Sequence, residues 1–229
     1  MAKYEIINGE GIIPHGTTEI EDHAFSRKSQ IKNIAIPNSV TKIGREAFAD
    51  CKSLTSITIP NSVTEIGDHA FLGCKALRSV NIPNSVTEIG YSAFFGCREL
   101  RTVTIPKSVT EIGEGAFSGC GLTSINIPES VRKIGNRAFY KCLVLKSVTI
   151  PNSVTEIEDW AFSGCENLKE IILFQTDPSK IKVTERSGLQ KKKAQITLYV
   201  PKEGVAAFQK DPFWSECAAI KPITDDMIK

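Results

Sequence analysis

The sequence predicts an α/β repeat solenoid, because three residue types recur along it in step. Phenylalanine, proline and cysteine each return at an interval of 23 residues, with one interval of 22 between Phe117 and Phe139. A fixed period of this size is typical of a solenoid, in which each repeat contacts only its neighbours. The 229 residues are therefore expected to form one elongated array. The recurring phenylalanines are Phe25, Phe48, Phe71, Phe94, Phe117, Phe139 and Phe162.

Residues 1–13 are predicted to form a hairpin that caps the first repeat. Asn8-Gly9 lies between two short β-prone runs, and this is the strongest local signal for a hairpin turn. A cap is needed because an open solenoid end exposes both its apolar core and an unpaired strand edge.

Seven repeats of 22–23 residues are predicted over residues 14–173, and each supplies one strand to a parallel sheet. In one repeat, Ile57 should point toward the core while Ser56 and Thr58 point the other way. Pro60 lacks an N–H group and should end the hydrogen-bonded strand. Since every repeat runs in the same direction, neighbouring strands should be parallel and about 4.8 Å apart.

A second short strand and a helical turn complete each repeat. Val63 and Ile66 of this second strand should face the core, and Gly67 is expected to allow a turn with positive φ. Residues 68–74 are predicted to form one turn of helix, with Asp68 as its N-terminal cap.

Residues 174–229 are predicted to form one enlarged, irregular repeat and a C-terminal cap. The last strand is expected at residues 196–200, followed by a short helix at residues 204–210. The three lysines at residues 191–193 are expected to lie in a solvated loop rather than in an anion site.

Six of the seven cysteines occupy one column of the repeat and are predicted to form a structural ladder of buried thiols. Each thiol should act as a weak donor to a backbone carbonyl of the neighbouring turn. Disulfides are disfavoured because stacked side chains run parallel. A zinc site is disfavoured because ligands along a ladder cannot close a tetrahedron. The six are Cys51, Cys74, Cys97, Cys120, Cys142 and Cys165.

The outward positions of the long strands carry small polar residues, which gives two interpretations. Hydroxyl and β-branched residues suit an exposed sheet and keep it soluble. The same surface would also serve as a shallow, extended recognition face, although it lacks the Trp, Tyr and Arg that dominate binding hot spots. The candidate binding residues are Ser56, Thr58, Ser79, Asn81, Thr102, Thr104, Ser124, Asn126, Ser147 and Thr149.

Leu72, Tyr91 and Phe95 form a second candidate, an apolar interface patch. They belong to adjacent repeats, at positions where other repeats carry mostly small or polar residues. Exposed apolar patches often mark interfaces. The alternative is that these side chains are buried against the neighbouring repeat.

The sequence predicts neither catalysis nor a metal or other cofactor. His23 and His69 share a column, but two repeats separate them by about 10 Å, too far for one metal ion. A general base would also need a nucleophile within reach, and no such motif accompanies them. Glu65, Glu88 and Glu111 occupy one column, so three negative charges lie one above another. Nearby Lys and Arg side chains or a weakly held cation should offset their repulsion.

Net charge and hydropathy argue against two classes of partner, nucleic acids and the membrane interior. The net charge of +2 argues against nucleic acid. The chain has no apolar run of about 18 residues, so membrane insertion is not expected. Residues 1–7 lack the apolar region of a signal peptide, so a cytoplasmic location stays open.

Residues 12–173 repeat the pattern C-x-x-L-x-x-[IV]-x-I-P-x-S-V-x-x-I-G-x-x-A-F. This pattern resembles the BspA-like, treponeme-type leucine-rich repeat of bacterial proteins. The resemblance implies a right-handed horseshoe with the parallel sheet on its concave face and short strands on the convex side. It also implies secreted or cell-surface proteins, some of them adhesins. Glu21 and Glu158 depart from the pattern at its glycine, Lys28 departs at its cysteine, and Gly121 marks a one-residue deletion.

Together these observations predict a non-enzymatic protein- or glycan-binding module, with adhesion or interaction at a host or cell surface as its role. The alternative is a structural spacer or an assembly unit with weak self-association. The pattern itself identifies no individual ligand.

Overall fold

The computed structural model describes residues 4–227 and shows a solenoid of parallel strands. The first three residues of the predicted cap lie outside this range. The chain begins with the antiparallel hairpin of β1 (Glu5–Ile7) and β2 (Glu10–Ile12), in which Asn8 and Gly9 form the turn with positive φ angles of 52° and 86°. Strand β2 then pairs in parallel with the first repeat strand, so the hairpin covers that strand's edge.

Two sides of each coil carry strands. The long-strand side consists of β4 (Asn33–Ile34), β6 (Ser56–Thr58), β8 (Ser79–Asn81), β9 (Thr102–Thr104), β11 (Ser124–Asn126), β13 (Ser147–Ile150), β15 (Glu170–Leu173), β17 (Thr197–Val200) and β18 (Ala219–Pro222). The short-strand side consists of β3 (Glu19–Ile20), β5 (Lys42–Ile43), β7 (Glu65–Ile66), β10 (Glu111–Ile112), β12 (Lys133–Ile134), β14 (Glu156–Ile157) and β16 (Lys182–Val183).

The register places like residues on like residues. Ile57 pairs with Val80, and Thr58 with Asn81, in the parallel pairing of β6 with β8. This pairing follows from the fixed repeat length, because any slip by one residue would turn the apolar set outward. The long-strand side divides twice, between β4 and β6 and between β9 and β11, and the second division lies next to the one-residue deletion at Gly121.

The predicted helical turn is wrong. Residues 68–74 form consecutive tight turns, with His69 at a φ of 56° and Gly73 at 69°. Alternate amides donate to the next coil, as in the 2.8 Å bond from Phe71 N to Ala93 O, while those between them donate to the carbonyl three residues earlier, as Leu72 N does to His69 O. Asp68 likewise caps the neighbouring coil, since its Oδ1 accepts from Tyr91 N at 2.8 Å.

Gly67 also has a different role from the one expected. Its φ is not positive. A Cβ atom at Gly67 would lie 2.9 Å from the backbone of Gly44 and Arg45, so glycine is required by the close approach of two coils.

The core is a continuous stack with one phenylalanine per coil. From Phe25 to Phe162, consecutive rings lie 5.2–5.8 Å apart at interplanar angles of 10° or less. Tyr4 covers the first ring, with ring centroids 5.1 Å apart. Burying each such side chain contributes about 1.5–3 kcal/mol.

The segment after Leu173 continues the stack with larger coils. Glu170 pairs with Thr197, and α1 (Val205–Phe208) follows β17. Strand β17 is not the last strand as predicted, because β18 pairs with it in parallel. Short 3₁₀ helices occupy Pro178–Lys180, Lys193–Gln195, Trp214–Glu216 and Asp225–Met227.

The lysine run at 191–193 is only partly the solvated loop that was expected. Lys193 is buried, its Nζ lies 3.1 Å from Glu216 Oε1, and it sits 4.3 Å from the ring centroid of Phe213. Lys192 Nζ donates to the Glu166 carbonyl oxygen at 2.7 Å.

Candidate functional site

The ten candidate residues on the long-strand side form one outward surface, here called the polar face. They are Ser56, Thr58, Ser79, Asn81, Thr102, Thr104, Ser124, Asn126, Ser147 and Thr149. Eight are exposed, and Ser147 and Thr149 are half-buried. They face outward because the residues between them in each strand, such as Ile57 and Val80, are buried in the core.

Half of the polar face lines one shallow depression of about 970 Å³. The five residues in it are Thr104, Ser124, Asn126, Ser147 and Thr149. Phe174 and Met227 add apolar surface to its lining. Thr58 and Asn81 line a separate depression of about 420 Å³. Ser56, Ser79 and Thr102 line neither.

The side chains of the polar face make no hydrogen bonds within the part of the protein that the structure describes. Within residues 4–227, none of the ten makes a side-chain hydrogen bond to another protein group. Hydroxyl groups both donate and accept, and asparagine adds two N–H donors and a carbonyl acceptor. Lys107 and Glu129 bring one charge of each sign to the larger depression.

Two of the three patch candidates, Tyr91 and Phe95, line different depressions. Tyr91 packs edge-on against His69, with ring centroids 4.9 Å apart, and lines a depression together with Glu88 and Glu111. Phe95, which is 44% exposed, lines a different depression beside Leu143. Leu72 is half-buried.

Leu143 is an exposed apolar residue that the pattern did not single out, although half of its surface is accessible. The available signal was indirect. Gly121 shortens the preceding coil by one residue, and Leu143 follows the cysteine of the next coil.

Comparison with known proteins assigns the repeat. Residues 9–122 and 92–217 match the BspA type leucine rich repeat region, a family model with six copies. The chain belongs to this BspA-type leucine-rich-repeat family. No curated protein sequence matches it.

Three solved structures are similar to this BspA-type chain. A leucine-rich repeat protein from Bacteroides ovatus is 29% identical with a TM-score of 0.68, and the match covers 92% of this chain. The chain spans only 60% of the length of that protein. The leucine-rich repeat protein of T. pallidum is 27% identical with a TM-score of 0.61, covering 73% of this chain and 87% of that one. A leucine-rich cell surface protein from Faecalibacterium prausnitzii is 25% identical with a TM-score of 0.57, covering 93% and 78% respectively.

The thiols of the cysteine column are buried and bonded to backbone carbonyls. Each thiol donates to the carbonyl oxygen of the phenylalanine in the preceding coil, with Sγ–O distances of 3.0–3.3 Å. All seven cysteines are free. Burial raises the pKa of Cys51 to about 12, which keeps this thiol protonated and unreactive at neutral pH.

The acidic column of the BspA-type repeat is only partly neutralised. Lys42 lies 3.4 Å from Glu65, and Lys133 lies 3.2 Å from Glu111. The hydrogen bond that Lys42 donates to Glu65 raises the pKa of Lys42, and the one that Lys133 donates to Glu158 raises the pKa of Lys133. Glu88 has no ion-pair partner in the part of the chain that the structure describes.

Among the described residues, no group of three or more His, Cys, Asp and Glu side chains is arranged to hold a metal ion. His23 Nδ1 lies 3.3 Å from Glu46 Oε2 in the next coil. None of the helices between residues 4 and 227 has the length and apolar character needed to cross a membrane.

Proposed function

We propose that this chain is a non-enzymatic module that binds a protein or a glycan through its polar face. The observation that carries the proposal is the depression in which Thr104, Ser124, Asn126, Ser147 and Thr149 converge with unengaged hydrogen-bonding groups. Rigid stacked strands hold these groups at a fixed spacing of about 4.8 Å. The face would bind a backbone or a row of sugar hydroxyls at little cost in ordering its own side chains.

The wider setting is also part of the proposal. The solenoid would be a right-handed horseshoe with the long-strand side on the concave face. Residues 1–13 would form the N-terminal cap, residues 14–173 seven repeats, and residues 174–229 the irregular last repeat and C-terminal cap. The F. prausnitzii relative is called a cell surface protein, which supports a secreted or surface location and a role in adhesion. Affinity would come from many shallow contacts and from several displayed copies.

The test is binding to glycan and matrix-protein arrays, followed by affinity measurement for any ligand found. Asn126→Arg would fill the larger depression and should weaken binding by about tenfold or more, because it removes hydrogen bonds and adds bulk. Thr87→Arg is the matched control, since Thr87 is exposed on the short-strand side and makes no side-chain hydrogen bond. Blank arrays, or equal losses from both variants, would contradict the proposal.

Self-association is a second candidate, supported by the exposure of Tyr91 and Phe95, 46% and 44% respectively. Under this proposal the chain is a spacer or assembly unit whose apolar surface contacts a second copy. Size-exclusion chromatography with light scattering should then detect oligomers, and the double variant Leu72→Ser, Phe95→Ser should be monomeric. A monomer at all concentrations would exclude this role.

A further inference from the structure

The coil that contains Cys120 has a gap in its outer edge. In the other coils, two residues separate the cysteine from the following leucine, as Lys75-Ala76 and Leu143-Val144 do, whereas Gly121 alone separates Cys120 from Leu122. Gly121 is buried, whereas Lys75 and Leu143, which also follow a cysteine directly, are exposed, and residues of three consecutive coils line one depression at this point. This gap and its lining are called the notch.

Small residues of the same coil line the base of the notch. Ser118 and Gly119 lie between the bulkier Phe95 of the preceding coil and Tyr140 of the following one. Ser118 is buried, and its hydroxyl donates to the Tyr140 carbonyl oxygen at 3.2 Å. A Cβ atom at Gly121 would collide with the Arg98 carbonyl oxygen, so position 121 cannot fill the notch with a side chain of its own.

The walls of the notch are apolar and its rim is basic. Phe95 and Leu143, which are 44% and 50% exposed, border a depression of about 570 Å³. Arg98, Arg101 and Lys141 also line it, and no carboxylate does. Arg101 is paired with Glu99 at 3.1 Å and donates to the Gly121 carbonyl oxygen at 3.5 Å.

Two of these charges remain available to a partner. Within residues 4–227, Arg98 and Lys141 form no ion pair with a carboxylate, and the Nζ of Lys141 lies 5.2 Å from the ring centroid of Tyr140. The notch therefore combines an apolar slot with two uncompensated positive charges, and its complement is an apolar side chain beside carboxylates.

We propose that the notch binds a short extended segment of a partner protein, in which one large apolar side chain is flanked by Asp or Glu. The apolar side chain would enter between Phe95 and Leu143. The carboxylates would pair with Arg98 and Lys141, for which arginine offers a bidentate geometry. A symmetric dimer through the notch is disfavoured because it would bring the same positive charges together.

The probes are fluorescein-labelled peptides with Asp-Phe-Glu or Glu-Leu-Asp at the centre of a Gly-Ser sequence. Matched peptides carry Lys in place of both acids, or Ala in place of the apolar residue. Fluorescence anisotropy should show that the acidic–apolar peptides bind at least about tenfold more tightly than either control, the range expected for charge-assisted hydrogen bonds.

Variants of the protein test whether the peptides bind in the notch. Arg98→Glu should weaken it by about tenfold or more. Lys75→Glu, in the same column one coil earlier and outside the notch, should leave it unchanged. Leu143→Ser should weaken it as well, with Tyr91→Ser as the control because Tyr91 is exposed to a similar degree, 46%, in a different depression.

Restoring the missing residue tests the proposal, because the longer coil should fill the notch. Replacing Gly121 with the dipeptide Lys-Ala of residues 75–76 recreates the common repeat length and should abolish peptide binding, while circular dichroism verifies the fold. The point variants decide the matter if this variant does not fold.

The proposal is overturned if acidic–apolar peptides bind no better than their lysine counterparts, or if Lys75→Glu costs as much as Arg98→Glu. It is also overturned if light scattering shows oligomers that Leu143→Ser dissociates, because the occupant would then be a second copy. None of these variants alters the polar face, so the result is independent of ligand binding at that face.

Discussion

The coils from Phe25 to Phe162 and the segment from residue 174 onward are stabilised in different ways. In the regular coils, each phenylalanine ring meets a like ring one coil away, as Phe71 and Phe94 do with rings 5.2 Å apart. The later segment depends on contacts that occur once, such as that of Lys193 with Glu216 and Phe213. A regular stack distributes its stability over many equivalent interfaces, whereas a single contact concentrates it.

The largest expected effect comes from opening the regular stack at its centre. Phe94→Ala should lower the free energy of unfolding by about 3–5 kcal/mol, because it leaves a cavity between two stacked rings. Chemical denaturation measures this value. Phe208→Ala is the matched change in the C-terminal segment, where Phe208 is also fully buried but only tilted against Trp214 at 6.0 Å. A Phe94→Ala cost below about 1 kcal/mol would contradict the stacked core.

A smaller loss of stability is expected for alanine substitution at two glycines of one regular coil, and the two should differ in size. A Cβ at Gly90 would lie 2.8 Å from the Gly67 backbone, so Gly90→Ala must push two coils apart and should cost about 3 kcal/mol. Gly96 has a φ of 73°, but the atoms nearest to its Cβ position are those of the Gly73 backbone, at 3.9 Å. Gly96→Ala should therefore cost only about 1 kcal/mol of backbone strain. Equal costs in thermal or chemical unfolding would show that coil contact is not what requires Gly90.

The difference between Gly67 and Gly73 shows how far the sequence could predict the fold. The repeat period predicts where the strands lie, which residues face the core and that the strands are parallel. It does so because like residues must stack when the repeat length is constant. The role of Gly67 does not follow from the period, because glycine serves close contacts and positive φ equally well. The helical turn at 68–74 was predicted from local residue preferences, and hydrogen bonds between coils overrode them.

The candidate sites show the same limit. The outward direction of Ser124 and Asn126 could be predicted from alternation along the strand. Their convergence with Phe174 and Met227 in one depression could not, because these two residues lie outside the regular pattern. The separation of Tyr91 from Phe95 depends on which edge of the coil each turn residue faces, and a column position alone does not specify this.

The single contacts of the C-terminal segment should show an asymmetry. Glu216→Ala leaves Lys193 buried without its ion-pair partner and should cost about 1–2 kcal/mol, a value reduced because the Glu216 side chain is 62% exposed. Lys193→Met removes the buried charge and keeps an apolar contact with Phe213, so it should cost less than about 1 kcal/mol. Chemical denaturation of both variants and of the double variant measures the coupling. A larger cost for Lys193→Met would mean that the cation–π contact outweighs the buried charge.

The smallest expected effect is a gain in stability on the short-strand side. The column runs Glu19, Lys42, Glu65, Glu88, Glu111, so its alternation of charge fails at Glu88, which lies between two other carboxylates. Glu88→Lys would restore the alternation and should stabilise the fold by about 0.5 kcal/mol at low salt, with the gain disappearing in high salt because exposed pairs are screened. Thr87→Lys places a lysine at the neighbouring exposed position and tests for a general effect of added positive charge, although it raises the net charge by one where Glu88→Lys raises it by two. If Thr87→Lys stabilises as much as Glu88→Lys, the like-charge column carries no specific cost. The carboxylates from Glu65 to Glu111 would then be ordinary solvated side chains.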